Sequence, residues 1–117
     1  MVLGKHAIAD IYDIYSDAID DIEKIKVLLS EACKEANLNI VEFKFHKFEP
    51  YGLSGICILK ESHLAIHTWP EYSFASVDAF TCGSKMNPEN VCEIIARKLN
   101  SDHVDIKTFD RGIINNE

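Results

Sequence analysis

The densest run of reactive side chains in the sequence is Glu61-Ser62-His63-Leu64-Ala65-Ile66-His67-Thr68-Trp69-Pro70-Glu71, which holds two imidazoles, a serine hydroxyl and two carboxylates. Histidines four apart are the spacing of the helical zinc motif H-E-x-x-H. Here the local alternation is that of a strand, along which four residues rise about 13 Å. That is too far for both rings to bind one zinc at about 2 Å. Residue 64 is Leu, so the glutamate base of that motif is also absent, and no metal is expected. A serine hydrolase needs its serine on a sharp glycine-flanked turn, with a histidine base and a carboxylate to orient it. Ser62 has no glycine beside it, and a chain this short leaves little room for a cleft. A turn serine and a satisfied strand histidine would explain either residue alone, but the density of the cluster weighs against that. Downstream, Cys82 ends an apolar strand pattern just before Gly83, where a thiol can be exposed and reactive. Its plain alternative is a small residue at a strand end. Cys33 and Cys92 on helical apolar positions, and Cys57 within Ile56-Cys57-Ile58-Leu59, read as core fillers.

The elements that must position this cluster follow from periodicity. Ala7, Ala9 and Ile11 alternate with polar and larger residues, which predicts a strand over 5–12. Ser16 and Asp17 are cap candidates for a helix over 17–36, whose stripe is Ile22, Ile25, Leu28, Leu29, Ala32, Cys33 and Ala36. Val41, Phe43 and Phe45 mark a strand over 40–48, broken by Pro50-Tyr51-Gly52. The almost wholly apolar 55–59 reads as a central strand. Strands over 63–69 and 74–81 follow, then a loop. Asn87-Pro88-Glu89 opens a second helix, with its cap, N1 proline and early acid in order. Val104 and Ile106 mark a last strand, and 110–117 read as a frayed tail. The order β-α-β-β-β-β-α-β predicts an α+β two-layer sandwich, a mainly antiparallel sheet with two helices on one face. The other face then needs a cover, and a second subunit is the natural candidate.

With 117 residues the chain is one domain, 1–117, large enough to bury a core. A net charge of −7 argues against nucleic acid or an anionic membrane as partner, since both need a basic face. No apolar run approaches the ~20 residues of a membrane span. The start Met1-Val2-Leu3-Gly4-Lys5-His6 lacks the apolar core of a signal peptide, so a cytoplasmic location is expected. Four cysteines without a C-x-x-C pair agree with a reducing compartment.

The run from Lys60 to Glu71 resembles the processing-site signature of the prokaryotic S-adenosylmethionine decarboxylases. Phe45-His46-Lys47-Phe48, Pro50-Tyr51-Gly52-Leu53-Ser54-Gly55 and Asp78-Ala79-Phe80-Thr81-Cys82-Gly83 are similar to that family too, as are Gly4-Lys5-His6 and Asp110-Arg111-Gly112. Lys60 departs from the pattern, where relatives usually carry a small residue. The resemblance implies a proenzyme that cleaves itself between Glu61 and Ser62, giving a β chain of 1–61 and an α chain of 62–117. Ser62 would attack the Glu61 carbonyl, the ester would eliminate, and the dehydroalanine would hydrolyse to a pyruvoyl group. That group would serve as the only cofactor, with no pyridoxal phosphate and no metal, by forming a Schiff base with S-adenosylmethionine. By the same resemblance His67 is the proton acceptor in processing, Ser54 its helper and Cys82 the proton donor in decarboxylation. Glu71 would bind the ribose hydroxyls and Phe48 would stack on the adenine, while a sulfonium cation favours an aromatic face that Phe48 or Trp69 could supply. The product would feed spermidine synthesis, and family members associate through their sheets as dimers of αβ units or larger assemblies.

Strand parity raises one objection, because residues 62 and 67 should face opposite sides of a regular strand. A turn at Glu61–Ser62, or a partner residue from another subunit, would answer it. Two rival readings share the residues. One is an arginine decarboxylase of the same family, and the other is a non-catalytic ligand-binding domain in which Ser62 is never cleaved.

Overall fold

Alternating side chains give six strands that join in one antiparallel sheet, in the computed structural model, which describes residues 1–82 and 87–115. The strands are β1 (Val2–Tyr12), β2 (Ile40–Lys47), β3 (Leu53–Leu59), β4 (Ser62–Trp69), β5 (Phe74–Cys82) and β6 (His103–Ile113). Helices α1 (Ile22–Glu35) and α2 (Pro88–Lys98) lie between β1 and β2 and between β5 and β6. Across the sheet the order is β2-β3-β4-β5-β1-β6. The expected α+β sandwich and its element order are therefore what the chain forms. The loop read after residue 82 begins outside the described residues.

One face of the sheet carries Ala7, Ala9, Ile11, Leu53, Cys57, Leu59, Leu64, Ile66, Ala75, Val77 and Ala79, all buried. Against them pack Ile25, Leu28, Leu29, Ala32 and Cys33 of α1 and Val91, Cys92, Ile94 and Ile95 of α2. Small alanines on β1 and β5 let α2 approach the sheet closely. Among the described residues the opposite face has no such cover, and Ile56 and Ile58 stand 50% and 44% exposed on it.

The main departures from the sequence reading are three. Helix α1 starts at Ile22, because Asp21 takes an extended backbone and its carboxylate accepts the Lys24 N–H at 3.1 Å. Residues Asp17–Asp20 form a separate 3-10 turn capped by Ser16. Strand β3 sits one in from the sheet edge instead of at its centre. Its apolar residues serve two faces: Leu53, Cys57 and Leu59 meet the helices, while Ile56 and Ile58 line the open side. Residues 110–113 are not a frayed tail but the end of β6, paired with β1 in the register Lys5↔Asp110 and Val2↔Ile113. Backbone pairing holds this stretch although its side chains are exposed. Asn116 and Glu117 lie outside the described residues.

Both helices end alike. Asn37 (φ +60°) follows α1, with the Leu38 N–H donating to the Cys33 carbonyl at 2.8 Å and the Asn37 N–H to that of Lys34 at 3.2 Å. Asn100 (φ +58°) ends α2 with the same pair of bonds from Ser101 and Asn100. These are Schellman caps, in which asparagine takes the left-handed position.

Candidate active site

Strands β3 and β4 are joined by the tight turn Lys60-Glu61, with Leu59 opposite Ser62. Hairpin turns this short favour two residues of positive φ, to match the strand twist. Lys60 and Glu61 do not adopt it, and the mismatch falls on Ser62, whose φ is +156°. That places Ser62 at the edge of a region kept almost wholly for glycine, with a strain of about 1–3 kcal/mol. The Glu61 carbonyl accepts the Cys82 N–H at 2.9 Å. The Glu61 carboxylate accepts the Asn39 N–H at 2.9 Å and Asn39 Nδ2 at 2.8 Å, and these donors hold its pKa below the ordinary glutamate value. Residue 61 is thus held at both its carbonyl and its side chain, immediately before the strained serine.

Ser62 also lies opposite Thr81 on β5, and Cys82 directly follows it. Thr81 is 1% exposed and its hydroxyl has no hydrogen-bond partner among the described residues. Cys82 is the exposed thiol of the four. Cys57 is raised by its thiol contact with Cys33 and by burial, and burial pushes Cys92 up to about 12. The core-filler reading of Cys33, Cys57 and Cys92 fits their burial.

The second cluster sits at the other end of β4. Ser54 Oγ lies 2.7 Å from His67 Nδ1, across the register pair that joins β3 to β4 on the open face. Both residues line an open cleft of about 240 Å³ with Lys44, Phe45, His46 and Ile56. Beneath them Thr68 is 6% exposed. It accepts the Leu53 N–H at 2.9 Å and donates to the Ile19 carbonyl at 2.6 Å, which ties the residues beside Ser54 and His67 to the 3-10 turn. Gly52 adds a second tie, its N–H donating to Asp20 at 2.8 Å.

The candidate contacts to a ligand lie near this end. Phe48 is exposed just past β2, its ring 4.6 Å from that of His46. Trp69 ends β4, and Glu71 is exposed on the short 3-10 turn Pro70–Tyr72. Tyr12, Trp69, Tyr72 and Phe74 line an aromatic cleft of about 400 Å³ next to Glu71.

The predicted residues therefore fall into two groups: Glu61, Ser62 and Cys82 at one end of the sheet, and Ser54, His67, Phe48, Trp69 and Glu71 towards the other. The parity objection stands within one chain. His67 faces the open side and stands five positions along the strand from Ser62, about 16 Å. The turn at Lys60-Glu61 does not bring them together. Asn39, Thr68 and Thr81 escaped the sequence reading, since a loop asparagine and two strand threonines carry no motif.

Comparison with known proteins places the chain in a family. Residues 5–112 match the family model described as S-adenosylmethionine decarboxylase. An S-adenosylmethionine decarboxylase proenzyme of Pelotomaculum thermopropionicum is 44% identical over 112 residues, 96% of this chain and 89% of that protein. A protein of the same name from Moorella thermoacetica is 42% identical, with 96% and 90% covered. The crystal structure of the adenosylmethionine decarboxylase from Aquifex aeolicus superposes with a TM-score of 0.89 at 39% identity, over 99% of this chain and 96% of that one. The Trypanosoma brucei AdoMetDC-delta26 monomer shares the fold alone, with a TM-score of 0.61 at 17% identity, over 87% of this chain and 44% of that one.

Proposed function

The chain belongs to the S-adenosylmethionine decarboxylase family, and from that premise we propose that it is a proenzyme that cuts itself at Glu61–Ser62 and then decarboxylates S-adenosylmethionine. The observation that carries the reading is the hairpin exit, with Ser62 at φ +156° and the Glu61 carbonyl held by the Cys82 N–H. Ser62 Oγ attacks that carbonyl and the peptide becomes an ester. The Cys82 N–H already on the oxygen stabilises the charge that develops there. Loss of the Ser62 α-proton expels Glu61 as a carboxylate and leaves dehydroalanine. One water then converts this to the pyruvoyl group and ammonia. Because the cut falls at a turn, β3 and β4 keep their pairing, and the products are residues 1–61 and 62–117.

His67 is the base of this reading. In the tautomer whose Nδ1–H donates to Ser54 Oγ, the Nε2 of His67 is free to accept a proton. Since His67 cannot reach Ser62 in its own chain, the reading includes a second copy seated on the open face. A two-fold contact sets the Ser62 end of one copy against the His67 end of the other. Exposed Ile56 and Ile58 give such a contact an apolar centre.

When formed, the pyruvoyl group at position 62 supplies the electron sink for decarboxylation. The chain's own residues do the rest. Cys82, next to the cut and exposed, returns a proton to the substrate carbon. Glu71 accepts the ribose hydroxyls, and Phe48 and Trp69 offer faces to the adenine and to the sulfonium cation. The free thiols fit a cytoplasmic enzyme. Among the described residues no helix is long and apolar enough to cross a membrane.

Two experiments test the reading. Mature protein given carboxyl-labelled S-adenosylmethionine or arginine, separately, should release labelled CO2 from the first only. Release from arginine alone would reverse the substrate, and release from neither would refute the activity. In the second, Ser62→Ala and His67→Ala chains are co-expressed. The His67→Ala chain should be cleaved in the mixture and not alone, and its failure to be cleaved in the mixture would refute the shared site.

A further inference from the structure

We propose that Asn39 is a positioning residue for self-cleavage, gripping the side chain of Glu61 so that the Glu61–Ser62 peptide is held still while Ser62 attacks. The inference rests on the reading of Glu61–Ser62 as the scissile bond. Asn39 makes three hydrogen bonds to the turn. Its N–H and Nδ2 donate to the two oxygens of the Glu61 carboxylate, at 2.9 and 2.8 Å, and its carbonyl accepts the Lys60 N–H at 2.9 Å. No other side chain hydrogen-bonds that carboxylate among the described residues.

The grip is built before the reaction. The Schellman cap fixes Asn37 and Leu38, and Leu38 is buried as an anchor, so Asn39 leaves α1 on a defined path into β2. Both donors therefore stay aimed at Glu61 at little entropic cost. From the other side the Cys82 N–H holds the Glu61 carbonyl. Pinned at side chain and carbonyl, residue 61 cannot relax, and the twist of the turn is taken up at Ser62. Holding reacting atoms in place is worth large factors in rate, and a small misplacement is costly. Asn39 borders an open polar groove with Ser30, Lys34, Asn37 and Lys60, so shortening it removes no core packing.

The test follows the first-order appearance of residues 1–61 and 62–117 by intact mass, from freshly made full-length chain. Asn39→Ala keeps the backbone donor and loses Nδ2, and cleavage should slow about tenfold, or about 1.4 kcal/mol. Asn39→Asp sets a carboxylate against a carboxylate and should be slower still. In a Glu61→Gln chain the new amide can donate to a carboxylate at position 39. The double variant Asn39→Asp with Glu61→Gln should therefore recover at least tenfold over Asn39→Asp alone. A merely structural role would not produce that rescue. Melting points in a Ser62→Ala background should stay within about 2 °C for all these variants.

Cleavage of Asn39→Ala at the wild-type rate would overturn the proposal, as would failure of the double variant to recover. A fall in melting point that tracks the loss of rate would overturn it too, by making Asn39 a stability residue. If the wild-type chain itself stays whole, the self-cleavage reading falls and this inference with it. If only the variants behave unexpectedly, that reading survives.

Discussion

Thr68→Val tests the buried polar tie next to the Ser54–His67 pair. Valine matches threonine in shape, so packing is kept while the hydroxyl is lost. Two hydrogen bonds go with it, from the Leu53 N–H and to the Ile19 carbonyl. Leu53 is 1% exposed and Ile19 is 4% exposed, so water cannot replace the missing partner. An orphaned buried donor or acceptor costs about 1–3 kcal/mol, and two of them, offset partly by the more apolar side chain, give about 2–4 kcal/mol. In a domain of this size each kcal/mol moves the melting point by about 4 °C, so a fall of about 8–16 °C is expected. The assay is urea and thermal unfolding in a Ser62→Ala background, where only one species is present. Thr68→Ser is the control. It keeps the hydroxyl and loses one methyl, a cost of about 1 kcal/mol. A Thr68→Val chain within about 0.5 kcal/mol of its parent, or a serine variant less stable than the valine one, would refute the reasoning.

Three further outcomes are expected. Ser54→Ala removes the contact that orients His67 and should slow self-cleavage about tenfold on the same mass assay, with little change in melting point. Thr81→Val replaces a buried hydroxyl that has no partner among the described residues by a methyl, and should raise the stability of the Ser62→Ala chain by about 1 kcal/mol in urea unfolding; a loss would show that the hydroxyl has a partner. Asp20 is held below its ordinary value of 3.8 by the Gly52 N–H and then by Lys47, so its contribution is present above that value and lost as pH falls through the lower, folded one. Asp20→Asn should therefore flatten the drop in stability measured below about pH 4 and leave the rest of the profile parallel.

The sequence shows the architecture because its strands alternate and its helices carry clean stripes. Where that signal weakens, so does the reading. Residues 110–113 expose nearly every side chain and are held by backbone pairing to β1, which no periodicity reports. Ala18 and Ile19 are buried in phase with α1, so the stripe runs back to residue 17 although the chain breaks at Asp21. The site is legible as far as its motif runs. Glu61, Ser62, His67 and Cys82 stand out by type and spacing, and strand parity and rise already separate Ser62 from His67. Asn39 does not stand out. Its partner lies two strands further along the chain, and only the fold brings the two together.

The central claim is that this chain cuts itself between Glu61 and Ser62, and an intact mass spectrum of the purified, denatured protein tests it most directly. The account predicts two species, residues 1–61 and residues 62–117, the second lighter by one ammonia than a chain that starts with free Ser62. A single species at the full 13.2 kDa that persists on prolonged incubation would contradict it. So would a cut at any other bond, or a 62–117 fragment that keeps its serine amine.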